Sequence, residues 1–151
     1  MSYEQVKDVL QQAKLFYKKT ANFYEQLSRE SDQERVKLLL NYMAKREKAF
    51  EQIVDRFHNE SKQSIIQQWM QFTPPRTVTK TLDELKKKPI ESVDELMQMA
   101  TTMDDALIEY YRTLVNISRK PEVRDAFINL MEATLKKDRE MVFNMHMQQE
   151  I

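Results

Sequence analysis

An all-α fold, two antiparallel helix hairpins joined by a long crossover into a four-helix bundle, is what this sequence predicts. Three observations carry the prediction. The 151 residues include no glycine and only four prolines, so the residues that punctuate turn-rich sheets are nearly missing. Four long segments carry apolar residues at alternating spacings of three and four, the mark of a helix that buries one face. Side chains able to bond the orphan amides of a first helical turn stand where helices are expected to begin. The length suits one domain spanning 1–151.

The first helix is expected from about Tyr3 to Ser28, with Val6, Leu10, Ala13, Tyr17, Thr20, Tyr24 and Leu27 on one stripe. The second, about Asp32 to Asn59, aligns Val36, Leu40, Met43, Glu47, Phe50, Val54 and Phe57, and Glu47 interrupts an otherwise apolar line. Ser31-x-x-Glu34 reads as its capping box, and the short link before it folds the pair into a hairpin over about 3–60. The crossover, about 61–91, holds Ile65, Ile66, Trp69, Met70 and Phe72, the stop Thr73-Pro74-Pro75, and a short helix at Leu82 to Lys87 headed by Thr81-x-x-Glu84. The second hairpin covers about 92–149. Its first helix, Val93 to Ser118, is capped by Ser92-x-x-Glu95 and aligns Val93, Met97, Ala100, Asp104, Leu107, Tyr111 and Leu114. The last begins at Pro121, a residue suited to a first helical position, and aligns Val123, Phe127, Leu130, Thr134, Lys137 and Met141.

The hairpins repeat each other. Val6 and Val93 stand 87 residues apart, and the same offset carries Ala13 to Ala100, Tyr24 to Tyr111, Leu27 to Leu114 and Val36 to Val123 without a gap. A duplicated hairpin with a long crossover gives a bundle whose helices cross at about 20°.

At this point the chain resembles the ferritin-like superfamily, and within it the rubrerythrin-type di-iron bundles. The residues that carry the likeness are the aromatic pairs Phe23-Tyr24 and Tyr110-Tyr111 on the first helix of each hairpin. In that family a Glu lies seven residues before the Tyr of each pair, and each hairpin's second helix carries Glu-x-x-His. Here the corresponding positions are Tyr17 and Asp104, then Glu47-x-x-Phe50 and Thr134-x-x-Lys137. The resemblance therefore implies the family's fold with its metal site degenerate. A di-metal centre needs about four carboxylates and two imidazoles, whereas two acids and no histidine remain among Tyr17, Glu47, Phe50, Asp104, Thr134 and Lys137. These six are vestigial positions; no metal ligand, catalytic residue or cofactor-binding residue is assigned. The charged members read as a buried network in which Lys137 replaces the metal, with the Tyr17 and Thr134 hydroxyls completing its hydrogen bonds.

Other chemistry is sparse. With 24 basic and 24 acidic residues the formal net charge is zero, which favours neither nucleic acid nor an anionic membrane. No cysteine is present, so thiolate sites and disulfides are excluded. No apolar run approaches the ~18 residues of a span, and no signal-peptide pattern opens the chain, so a cytoplasmic location is expected. Asp55-x-x-His58, with His146, could form at best a surface metal site and reads as ordinary polar surface. Met141, Met145 and Met147, like Met97, Met103 and Met131, read as core fillers. Lys86, Lys87 and Lys88 read as a solvated helix end, and Trp69 with Phe72 as a dimer contact or as cover for the bundle.

The reading that results is a metal-free, rubrerythrin-like bundle acting as a structural or protein-interaction module, and a homodimer. The alternative is an iron- or manganese-binding oxidoreductase with a reduced ligand set that includes Glu47 and Asp104. A small-molecule binder with a pocket between helices forms a third class.

Overall fold

The computed structural model describes residues 3–71, 77–87 and 90–149. The chain divides into two compact units that meet in sequence after Gln71. The first comprises a strand β1 (Tyr3–Gln5), the long helices α1 (Val6–Glu30) and α2 (Glu34–Glu60), a single turn α3 (Gln63–Ile66) and a strand β2 (Trp69–Gln71). The second comprises α4 (Thr77–Leu85), α5 (Val93–Ile117) and α6 (Pro121–Gln149).

The internal repeat holds down to the residue. Helices α1 and α5 both have 25 residues, from Val6 and from Val93, and α2 and α6 start at Glu34 and Pro121, again 87 apart. Within each unit the long helices run antiparallel. In the first, Lys14 pairs with Asp55 and Glu25 with Lys48, so position rises along α1 as it falls along α2. In the second, Asp104 pairs with Lys137 across α5 and α6. Each pair buries most of the predicted stripe, with Tyr17, Tyr24, Leu40 and Met43 enclosed in one unit and Leu107, Tyr111 and Phe127 in the other, while Leu27, Phe57, Val93 and Met97 are half-buried. Met43, Met99, Met103 and Met141 fill gaps among them.

Three boundaries differ from the sequence expectation. The first residues form a strand rather than a helical turn: β1 pairs antiparallel with β2, Glu4 opposite Met70, and the Val6 amide donates to the Gln68 carbonyl at 2.9 Å. Ser31 does not cap α2. Its hydroxyl folds onto Gln33, donating to the carbonyl at 3.4 Å and accepting from the amide at 3.3 Å, and the helix begins at Glu34 with Gln33 as its cap residue. Helix α4 starts at Thr77, which leaves Thr81 inside the helix and not at its head; the extra turn buries Val78 one turn before Leu82 and Leu85, and that packing outweighs the local capping signal.

Ser92 does cap α5, accepting from the Glu95 amide at 3.1 Å, while the Glu95 carboxylate takes the Glu91 amide at 2.8 Å. Pro121 opens α6 as its ring geometry suits. In the crossover Ile66 and Met70 are buried while Trp69 is exposed, so Trp69 does not cover the unit. Phe72, Thr73, Pro74, Pro75 and Lys88 lie outside the described residues. Lys86 and Lys87 follow α4 as an exposed turn.

Candidate functional site

All six positions named from the sequence are buried: Tyr17, Glu47 and Phe50 in the first unit and Asp104, Thr134 and Lys137 in the second. None of the charged side chains reaches out to water. Two of the three unit-one positions meet directly, since the Tyr17 and Phe50 rings pack tilted with centroids 5.6 Å apart. Two aromatic rings thus stand where the family pattern asks for a carboxylate and an imidazole. Phe50 offers no lone pair to any ion.

In the second unit, Lys137 of α6 is 2% exposed and Asp104 of α5 3% exposed, and the Lys137 ammonium lies 3.0 Å from the Asp104 carboxylate. Both ions lose their hydration on burial, and their attraction at this short distance offsets part of that cost. The helices place it without local strain: Asp104 and Lys137 lie on the inward stripes between Ala100 and Leu107 and after Leu130 and Thr134, so the apolar periodicity that folds the hairpin also turns these charges inward. Thr134 behaves otherwise than expected. Its hydroxyl donates to the Leu130 carbonyl one turn back, at 2.8 Å, so its proton is not available to the ion pair.

A third carboxyl belongs to this cluster and sequence reasoning missed it. Asp138 follows Lys137 and is partly buried. Burial, then the neighbouring Asp104 carboxylate and the more distant Asp105, pushes the Asp138 carboxyl up to about 6, with Lys137 opposing the shift. Asp104, Lys137 and Asp138 therefore form a site of two acids and one fixed cation in which Asp138 keeps a proton into the weakly acidic range. The folded carboxyl titrates above the unfolded value of 3.8, so between about pH 4 and 6 the native chain holds a proton that the unfolded chain has released. Stability consequently falls as pH rises through that window. Asp138→Asn is expected to raise stability by ~1–2 kcal/mol at pH 7.5, after discounting for solvent screening, and to flatten the change between pH 4 and 6. Urea denaturation of both proteins at pH 4.5 and 7.5 checks this; equal slopes with pH would contradict it.

The donor set does not fit a di-metal centre in either unit. Each unit contributes one carboxylate at the family positions: Glu47, one helical turn before Phe50, and Asp104, held by an ammonium that has no lone pair and repels a cation. Among the described residues no group of three or more His, Asp or Glu is placed to hold a metal ion. Asp55 and His58 of α2 do not meet over an ion either. Asp55 accepts from Lys14 at 2.7 Å and from Asn59 at 3.4 Å, and that bond to Lys14 holds the Asp55 carboxyl below its ordinary range and the Lys14 ammonium above its own. His58 sits 3.3 Å from the Asn59 side-chain oxygen. The side chains of Met145, His146 and Met147 lie outside the described residues.

A surface groove of about 340 Å³ runs between α1 and α2, lined by Lys14, Lys18, Asn22, Lys48, Glu51 and Asp55. It is open and its charges are largely paired, through Lys14 with Asp55 and Lys48 with Glu25.

No protein-family model matches the chain, and no curated protein sequence matches it. Among solved structures it is similar to a candidate ferritin-like diiron-carboxylate protein from Thermotoga maritima, with a TM-score of 0.64 over 97% of each chain at 14% identity. This likeness shows the fold, which is all-α and ferritin-like. Among the described residues no helix is long and apolar enough to cross a membrane.

Proposed function

We propose that this chain is a ferritin-like bundle that does without the di-iron chemistry of its fold, serving in the cytoplasm as a structural or protein-interaction module. The observation that carries the reading is the Lys137 ammonium buried 3.0 Å from Asp104, at a position where the family pattern has an imidazole. An internal cation already neutralises the acid that a metal would need. The Tyr17–Phe50 stack supports the same reading in the other unit, since it fills a ligand place with packed hydrocarbon. The alternative, an iron- or manganese-dependent oxidoreductase with Glu47 and Asp104 as ligands, requires Asp104 to release Lys137 first.

The proposal extends to a homodimer, with exposed Trp69 and Tyr3 on the outward side of the β1–β2 ribbon as its anchors. Metal analysis of protein purified after growth with added iron and manganese tests the main reading. Less than about 0.1 ion per chain is expected, because tight sites of this class use several anionic ligands. One or more tightly held iron or manganese ions per chain would overturn it.

A further inference from the structure

The outer side of α2 carries a feature that the buried core does not explain. Leu38, Tyr42 and Ile53 are 67%, 36% and 42% exposed, and Ala49 is exposed with them. At spacings of four, seven and four they form one line along the helix, on the side away from Val36, Leu40, Met43 and Val54. The internal repeat supplies a control for this face. The 87-residue offset carries Leu38, Tyr42, Ala49 and Ile53 to Asp125, Asn129, Lys136 and Glu140 on α6, which are exposed as well. The same positions on the same kind of helix are thus polar in one copy and apolar in the other, and Lys136 lies 4.0 Å from Glu140 where α2 has Ala49 and Ile53. Exposure alone does not ask for apolar residues here.

Between Arg35 and Arg56 the charges beside the line have one sign, and exposed Glu34 and Glu60 stand beyond its two ends. Arg35, Lys45, Arg46 and Arg56 flank it, and Arg46 folds over Tyr42, its guanidinium donating to the phenol oxygen at 2.7 Å with its carbon 5.6 Å from the ring centre. Arg35, Lys45 and Arg56 make no ion pair among the described residues. The acids that α2 holds between Arg35 and Arg56 stand elsewhere: Glu47 is buried, and Glu51 and Asp55 line the groove towards α1. The result is a narrow apolar line with basic margins on one helix.

We infer that this face docks an amphipathic helix of a partner protein, with apolar residues at three- and four-residue spacing and acidic margins. A second copy is the wrong occupant. Two α2 faces packed antiparallel would set Lys45 and Arg46 against their own counterparts, and the outer side of α6, where Lys136 and Arg139 stand among Glu122, Asp125, Glu132 and Glu140, offers no apolar line between those residues. The inference rests on the interaction-module reading and gives that module its partner's chemistry; metal content of the same preparation tests that reading separately.

The probes are two fluorescein-labelled helical peptides of about 21 residues, alike in a leucine line at this spacing and differing only in Glu or Lys margins. Fluorescence anisotropy with the whole protein should show the Glu peptide binding at roughly micromolar Kd, at least about tenfold more tightly than the Lys peptide, and weakening by about tenfold between 0.05 and 0.5 M NaCl. The fourfold variant Leu38→Asp, Tyr42→Asn, Ala49→Lys and Ile53→Glu transplants the polar residues of α6, keeps the circular dichroism of the parent, and loses binding by about tenfold or more. Lys45→Glu with Arg56→Glu keeps the apolar line and should shift preference to the Lys peptide. Equal binding of both peptides, or none by either up to about 1 mM, would overturn the inference. So would phosphatidylserine vesicles that retain the parent and not the fourfold variant, or self-association that the fourfold variant abolishes.

Discussion

Replacing Lys137 by Met is expected to destabilise the protein by about 2–4 kcal/mol at pH 7, because Asp104 is left buried beside Asp138 without a cation. Methionine nearly matches the shape of the lysine stem, so little of the loss comes from packing. The second replacement in the pair then works in the opposite direction: Lys137→Met with Asp104→Leu removes the stranded charge and should recover much of the stability. Urea denaturation of the parent, the single and the double variants at pH 7 measures both steps. A single variant indistinguishable from the parent would show that the pair is not what makes this burial tolerable.

The second large effect separates the two sides of α2. Leu40 is fully buried, whereas Leu38, two residues away, stands on the outer line. Leu40→Ala should cost about 2–5 kcal/mol through lost transfer energy and the cavity left behind. Leu38→Ala should stay within about 0.5 kcal/mol, since nothing in the folded chain packs on it closely enough to miss it. Thermal unfolding of the two variants checks the contrast. Similar losses at both positions would mean that the outer line is part of the core.

Much of this architecture was legible in the residues because helices announce themselves over long windows. The expected starts at Val93 and Pro121 hold in the second hairpin, α1 and α2 begin three and two residues after the expected Tyr3 and Asp32, and the inward stripes named all six buried positions, including the charged ones. The ribbon was not legible: strands of three residues at Tyr3–Gln5 and Trp69–Gln71 are too short to show alternation, and their pairing joins segments far apart in sequence. Asp138 escaped for a geometric reason. It lies one residue, about 100° of helical rotation, past Lys137 and so falls off the inward stripe, yet the Asp104 carboxylate reaches its side. The outer line of α2 was not legible because its apolar residues lie off the core-facing stripe and scattered exposed apolar residues are ordinary; the two halves differ there, Leu38 against Asp125 and Ile53 against Glu140.

The ribbon has a consequence for how the first unit opens. The first turn of a helix ordinarily frays because its amides lack partners. Here the Val6 amide is held by the Gln68 carbonyl and the Gln5 side chain donates to the Gln67 carbonyl at 3.1 Å, so the start of α1 and the segment from α3 to β2 share their hydrogen bonds. Neither can loosen alone. Detaching the strand frees the turn behind it, and melting that turn strips the strand of its anchor, which makes two stretches some sixty residues apart a single cooperative opening unit rather than two independently fraying ends.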